Sequence, residues 1–271
     1  MHFKKIKEWS PVLGLYIRWV YLTLFIFQGA KGSCQSSDYL ASSLDWKGHS
    51  MPFRYLLPQN YSPDQSYPLV VFLHGAGERG EDNALQLTHG SPLFLTSGHR
   101  EKYPAIVVFP QCPKNGYWAS IQSRTGPLKF VYLSKPSKNI HLKLVEQIIK
   151  QFQRHYRINA DRIYVGGLSM GGMGTYELVY RNPRKFAAAF AICGGADPVI
   201  AKRIRRPHWR IDHGTADSVV PVQLSQQMVS ALRQQKAQVE SHFYREVDHH
   251  SWEKVFNDPN FLPWLFAQRR H

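Results

Sequence analysis

Gly167-Leu168-Ser169-Met170-Gly171 sets a serine between two glycines, with the strand-like run Arg162 to Gly166 before it and the helix-forming Thr175 to Tyr180 after it. Strand, sharp turn and helix form the context in which a G-x-S-x-G carries a nucleophile. Such a turn holds the serine in a strained backbone conformation and leaves no room for side chains at 167 and 171. The Ser169 hydroxyl would then stand at a helix N-terminus, where the helix dipole favours developing negative charge. A serine hydroxyl is a weak nucleophile by itself. It needs a base to take its proton and an acid to orient that base.

The sequence offers candidates for each part. Asp217 lies in His213-Gly214-Thr215-Ala216-Asp217-Ser218-Val219-Val220-Pro221, between a buried strand and a helix, and is the preferred acid. Asp197 and Asp248 are the other contenders, but Asp248 adjoins the histidines, and an acid beside its base in sequence folds back poorly onto the neighbouring Nδ1. Glu246 to Trp252 supplies two candidate bases, His249 and His250, which sequence position alone leaves open. An attacked acyl carbon also requires two N–H groups converging on the carbonyl oxygen. The loop His74-Gly75-Ala76-Gly77-Glu78-Arg79-Gly80 follows a buried strand and offers the Ala76 amide, and the residue after the nucleophile offers that of Met170. His74 itself reads as a structural histidine pinning this loop. The order serine, acid, histidine differs from that of trypsin-like and subtilisin-like proteases.

These parts need elements to hold them. Pro68 to Gly75, Ala105 to Phe109 and Phe186 to Cys193 are continuous apolar runs, the mark of parallel strands buried on both faces. Phe53 to Pro58 reads as an edge strand, His208 to Gly214 as a further strand and Val239 to Arg245 as the last. Ile140 to Tyr156, with Leu144, Ile148 and Phe152 on one face, and Val222 to Gln235 read as helices. Alternating β and α units without repeats or long linkers predict one doubly wound α/β domain, with its site at the carboxyl ends of the strands. Ser36 to Ser50 is polar and reads as a loosely ordered lead-in. Ile121 to Asn139, with Arg124, Gly126, Pro127, Lys135 and Pro136, reads as a polar insertion that could overhang the site.

The chain begins with a basic stretch, His2 to Lys7, then the short apolar run Trp19 to Phe27, then Ala30, Gly32 and Ser33. That order predicts a signal peptide over residues 1–33 and export, with an uncleaved anchor as the alternative; the run is short for a membrane span. Cys34 raises lipoprotein processing, which Lys31 fits poorly. The 271 residues carry a formal charge of +15, of which the first 35 account for +4. The remaining basic residues are scattered in pairs such as Arg205-Arg206, without the aromatic-interleaved patch of a nucleic-acid binder. The charge therefore reads as a solvated basic surface. The three cysteines are too few for a disulfide scaffold, leaving a bridge between Cys112 and Cys193 as the one pairing to test. No C-x-x-C, H-E-x-x-H or phosphate-binding glycine loop occurs, so no metal or nucleotide cofactor is implied.

The loop His74 to Asn83, Pro110-Gln111-Cys112-Pro113 with Trp118, Gly167 to Gly172, His213 to Pro221 and His249-His250-Ser251-Trp252 occur in this order. Together they resemble the phospholipase/carboxylesterase and dienelactone-hydrolase-like branch of the α/β hydrolases. More narrowly, they are similar to secreted bacterial esterases related to polyhydroxybutyrate depolymerases and feruloyl esterases. The likeness runs from about residue 52 to the C-terminus, giving a lead-in over 34–51 and a catalytic domain over 52–271. The resemblance implies a single-domain α/β-hydrolase fold with helices on both faces of a mostly parallel sheet. It implies His249 as the base, with Asp248 where such esterases commonly have glycine, and it places Gln111 and Trp118 near the acyl or leaving-group pocket. The expected activity is serine esterase hydrolysis of a small-molecule or carbohydrate-linked ester. A peptidase of the prolyl-oligopeptidase kind shares the residue order but usually carries a propeller domain, and a non-catalytic binding module would normally show a broken set of catalytic residues.

Overall fold

Successive side chains of the run Tyr67–Leu73 point to opposite faces of a sheet, and both faces are buried. Leu69, Val71 and Leu73 enter one apolar cluster, Val70 and Phe72 the other. The computed structural model describes residues 38–124, 130–133, 135 and 138–270. Ten strands are found among them: β1 (Leu40–Trp46), β2 (His49–Leu56), β3 (Tyr67–Leu73), β4 (Ile106–Pro110), β5 (Ile121–Arg124), β6 (Phe130–Tyr132), β7 (Ile158–Leu168), β8 (Ala188–Ile192), β9 (His208–Gly214) and β10 (Val239–Tyr244). The helices are α1 (Ser91–Leu95), α2 (Ser97–Lys102), α3 (Ile140–His155), α4 (Met170–Arg181), α5 (Ala201–Ile204), α6 (Val222–Gln234), α7 (Trp252–Phe256) and α8 (Phe261–Ala267).

Eight strands form one sheet in the order β1-β2-β4-β3-β7-β8-β9-β10. Every neighbouring pair from β4 to β10 is parallel, and β1 and β2 add an antiparallel margin. Helix α3 covers one face with Leu144, Ile148 and Phe152, as its apolar spacing predicts, joined there by Met228 and Leu232 of α6. Asn139 caps α3, its side-chain oxygen accepting from the His141 and Leu142 amides at 3.1 Å each. Phe94 of α1, Val255 of α7 and Phe261 and Leu265 of α8 cover the opposite face. The doubly wound α/β architecture expected from the sequence is the one observed.

Two expectations need correction. The lead-in is not loosely ordered where it is described: β1 pairs with β2 from Leu40 opposite Tyr55 to Trp46 opposite His49. The domain thus starts before residue 52, and Phe53 to Leu56 lies inside the sheet rather than at its edge. The polar look of β1 has a physical reason. Only Ser42, Leu44 and Trp46 turn toward the protein, so one apolar residue in three or four suffices for a strand that borders solvent. Just before it, Tyr39 is buried, its hydroxyl donating to Ser91 O at 3.0 Å. The segment read as a signal peptide, and Cys34, lie outside the described residues.

Of the insertion Ile121 to Asn139, β5 and β6 form a small antiparallel hairpin. Ile121, Phe130 and Tyr132 pack with Met173, Val219 and Val220, which brings the hairpin against α4 and the loop before α6. Gly126, Pro127 and Pro136 lie outside the described residues.

Candidate active site

At the carboxyl end of β7 the chain reverses into α4 through one residue, Ser169, with φ 52° and ψ −116°. Such a conformation costs a non-glycine residue about 1–3 kcal/mol and persists only where its surroundings enforce it. They do so here by backbone contact. A Cβ on Gly171 would strike the Leu73 carbonyl and lie 2.8 Å from His74 O, and one on Gly167 would strike the same Leu73 oxygen. The Ser169 amide donates to Ile192 O at 2.8 Å, tying the turn to β8 as well.

His249, in the loop after β10, brings Nε2 to 3.0 Å from Ser169 Oγ and Nδ1 to 2.8 Å from Asp217 Oδ2. Facing a carboxylate, Nδ1 carries the ring proton, which leaves the Nε2 lone pair for the serine hydroxyl. Asp217 lies in the loop after β9. Its Oδ1 accepts from the Val219 and Val220 amides at 2.8 Å each. Burial pushes the Asp217 carboxyl up, but hydrogen bonds from His213, His249 and the Val220 amide outweigh it and hold the group well below the usual carboxylate range.

His213 belongs to this arrangement and was not among the residues singled out from sequence. It is fully buried, and its Nε2 lies 3.0 Å from both Asp217 Oδ2 and Val220 O. Both neighbours are acceptors, so Nε2 bears a proton and Asp217 Oδ2 is held by two imidazoles at once. Behind it, His213 Nδ1 lies 2.7 Å from Ser225 Oγ, which donates to Gly194 O at 2.9 Å. The only sequence signal was position: His213 ends a buried strand four residues before the acid.

The other contenders occupy other places. Asp197 caps a short 3-10 turn through the Val199 amide. Asp248 is exposed, and its Oδ1 accepts from the amides of Ser218 and His249 at 2.8 Å each. It clips the acid loop to the base loop, which gives a physical role to the residue standing where glycine is common. His250 is exposed and rests against Trp252, whose ring also meets the His249 ring edge-on, with centroids 5.5 Å apart.

Ala76 opens the 3-10 turn after β3 and Met170 opens α4, so both amides lie in first turns, where N–H groups have no intrahelical acceptor. The loop before them is locked from behind. His74 is buried, its Nε2 accepting from the Cys112 amide at 2.9 Å while Nδ1–H donates to Gly75 O at 2.6 Å. Burial pushes its imidazolium down to about 4, so the ring is neutral at pH 7, as the structural reading of His74 requires. Arg79 Nε donates to Ala76 O at 2.9 Å.

The placement of Gln111 and Trp118 near a substrate pocket is corrected. Both are fully buried. Gln111 Oε1 accepts from the Asn83 amide at 2.7 Å, its Nε2 donates to Asp82 Oδ1 at 3.1 Å, and Trp118 Nε1 donates to His74 O at 3.1 Å. Their polar atoms are engaged in holding the Ala76 loop and are not presented to a ligand. The bridge between Cys112 and Cys193 is likewise absent, since both are free buried thiols. Cys193 Sγ, an Asp217 oxygen and a His249 nitrogen lie within 4.8 Å of one another. The set suits a metal poorly: burial, then the Asp217 charge, pushes the thiol well above its ordinary range, and a metal-binding cysteine must be a thiolate.

A serine on a strand-to-helix turn, at the carboxyl ends of a mostly parallel sheet with an acid and a histidine on the following loops, defines an α/β hydrolase. The chain belongs to the phospholipase/carboxylesterase family, whose pattern matches residues 61–261. It is 31% identical over 180 residues to a bifunctional acetylxylan esterase/xylanase of Neocallimastix patriciarum, a match covering 66% of this chain and 23% of that protein. Among solved structures it is similar to a thermostable esterase, at 35% identity and a TM-score of 0.79 over 87% of this chain and 64% of that one. The fold is shared with a ferulic acid esterase of Anaeromyces mucronatus, at 18% identity and a TM-score of 0.56 over 81% of this chain and 88% of that one. The chain thus spans about a quarter of the fungal relative and under two thirds of the thermostable esterase.

Proposed function

We propose that the protein is a serine esterase that hydrolyses carboxylic esters through Ser169, His249 and Asp217. The observation carrying this reading is the continuous pair of contacts from Ser169 Oγ to His249 Nε2 at 3.0 Å and from His249 Nδ1 to Asp217 Oδ2 at 2.8 Å. His249 Nε2 takes the Ser169 proton as Oγ attacks the ester carbonyl carbon. The Ala76 and Met170 amides donate to the resulting oxyanion. The tetrahedral intermediate collapses, the alcohol leaves with the proton returned by His249, and an acyl-serine remains. Water then gives its proton to His249 and attacks the acyl carbon, and the acid departs as Ser169 recovers its hydrogen. Asp217 keeps the imidazole in the required tautomer throughout.

The likeness to an acetylxylan esterase/xylanase supports a carbohydrate-linked ester as substrate. The basic, apolar and small-residue order of residues 1–33 supports export, where such polymers are met. Among the described residues no helix is long and apolar enough to cross a membrane. A panel of acetylated xylan, feruloyl esters and short to long p-nitrophenyl esters tests the reading. Turnover with carbohydrate esters among the best substrates is expected, and hydrolysis of none of them would contradict it.

A further inference from the structure

Arg157, Arg184, Lys185, Arg205, Arg206 and Arg270 come from segments far apart in the sequence, and the fold gathers them at one end. Each stands in the connection into β7, β8 or β9, or in the tail after α8. Those connections enter the parallel sheet at the amino ends of its strands, opposite the end that carries Ser169. Arg270 fixes the tail there: its amide donates to Asp161 O at 2.9 Å, its Nη2 to Asp161 Oδ1 at 2.9 Å and its Nη1 to Arg184 O at 3.2 Å. Asp161 and Ser169 are separated along β7 by about 25 Å at the rise of a strand. Basic pairs that look scattered in the sequence thus form one face, remote from the reaction centre.

This face is short of counter-charge. Asp64 is the only acid in the connections into β3, β4, β7, β8, β9 and β10, and Asp161 is already paired with Arg270 at 2.9 Å. Arg184, Arg206 and Arg270 line one open cavity of about 350 Å³ with Asp161 and Phe186, and neither Arg184 nor Arg206 has an ion pair among the described residues. Burial, then the charge of Lys150, with Arg270 adding to it, holds the neighbouring Lys185 ammonium below its ordinary range. Like charges crowded in this way repel, and a bound anion relieves the repulsion. The helix dipole accounts for Arg154 and Arg233, in the last turns of α3 and α6. It does not account for Arg206, Arg269 or Arg270, which stand outside helices. The opposite end has the reverse sign: the loops after β3 and β10 hold Glu78, Glu81, Asp82, Glu246 and Asp248 against Arg79 and Arg245. A polyanion is therefore drawn to the amino end and repelled from the reaction centre, so what the basic face holds is not the ester being cleaved.

The make-up of the face selects among polyanions. No Phe, Tyr or Trp is exposed among the described residues, so there is no ring on which a nucleic-acid base could stack. The cations come from three connections and a tail, which spreads them over a face rather than along one groove. The exposed large apolar side chains, Leu40, Leu85, Val131 and Val199, belong to none of these segments, so contact is by charge without insertion. We propose that this face docks on an anionic phospholipid surface, where Arg184, Lys185, Arg206 and Arg270 meet headgroup phosphates and Ser169 is held facing away from the bilayer.

The test sediments the full-length protein with vesicles of phosphatidylcholine alone and with vesicles containing about 30% phosphatidylglycerol. Binding to the anionic vesicles should be at least about tenfold tighter in about 0.05 M salt, and the difference should vanish in about 0.5 M salt. Each cation near such a surface is worth about fivefold, so Arg205→Glu/Arg206→Glu should weaken binding about twentyfold or more, and Arg184→Glu/Arg269→Glu likewise. Arg245→Glu/Lys254→Glu changes two exposed residues at the other end by the same charge and should cost less than about threefold. Thermal melting of each variant checks folding. No preference for anionic vesicles, equal losses in the basic-face and control variants, or tighter binding per anionic group to polygalacturonate or duplex DNA at the same salt overturns the proposal. Vesicle-bound protein should hydrolyse p-nitrophenyl acetate as fast as free protein, and inhibition on binding overturns the orientation. Absence of hydrolysis in free and bound protein alike would contradict the esterase reading and leave the docking result standing.

Discussion

Lowering the pH should destabilise the protein through His74, because the fold holds this ring neutral. Its imidazolium is pushed down to about 4 by burial, against about 6.5 in an unfolded chain. At pH 5 the unfolded chain therefore binds a proton that the folded protein refuses, so stability falls as pH drops from 6.5 toward 4 and levels off below. A difference of about 2.5 units at 1.36 kcal/mol each gives roughly 3 kcal/mol over that window. Charging the ring would also cost the Nε2 lone pair that accepts from the Cys112 amide, unfastening the Ala76 loop from the end of β4. Urea unfolding at pH 7 and pH 4 reads the effect in wild-type protein and in His74→Gln, which does not titrate. The carboxylates titrate in both proteins, so the gap between the two unfolding free energies isolates His74. It should narrow by about 3 kcal/mol at the lower pH. Parallel pH dependence of the two proteins would refute the assignment of His74 as a buried neutral strut.

Other expectations follow from the same contacts. Substituting His213→Leu removes one of the two donors on Asp217 Oδ2, so kcat should fall at least tenfold. His213→Gln should recover part of that loss, and an unchanged kcat in folded His213→Leu would reduce His213 to packing. Gly171→Ala should yield little soluble protein or lose most activity, because the added methyl meets the Leu73 backbone rather than a movable side chain. Soluble Gly171→Ala with wild-type kcat would contradict the close approach of α4 to β3.

What the sequence revealed and what it hid divide along physical lines. Strands β3, β4 and β8 are buried on both faces, so their residues are apolar without interruption and can be recognised alone. Ser169 was legible because its turn demands glycines on either side. β1 was not, since a strand at the sheet margin needs only Leu44 and Trp46 as its larger inward residues. The choice between His249 and His250 depends on how a loop closes onto Ser169, and adjacent positions carry no periodic signal for that. Gln111 and Trp118 were misplaced for a related reason: nearness to the Ala76 loop is common to residues that touch substrate and residues that buttress the loop, and only hydrogen bonding separates the two. His213 and Ser225 are joined through space across twelve positions, with no local pattern to announce the pairing.

The central claim is that Ser169 is the nucleophile of an ester hydrolase. Steady-state hydrolysis of p-nitrophenyl acetate by Ser169→Ala tests it most directly. The contacts of Ser169, His249 and Asp217 predict a loss of at least about 10⁴-fold in kcat with the melting temperature preserved. Full activity in folded Ser169→Ala would contradict the account.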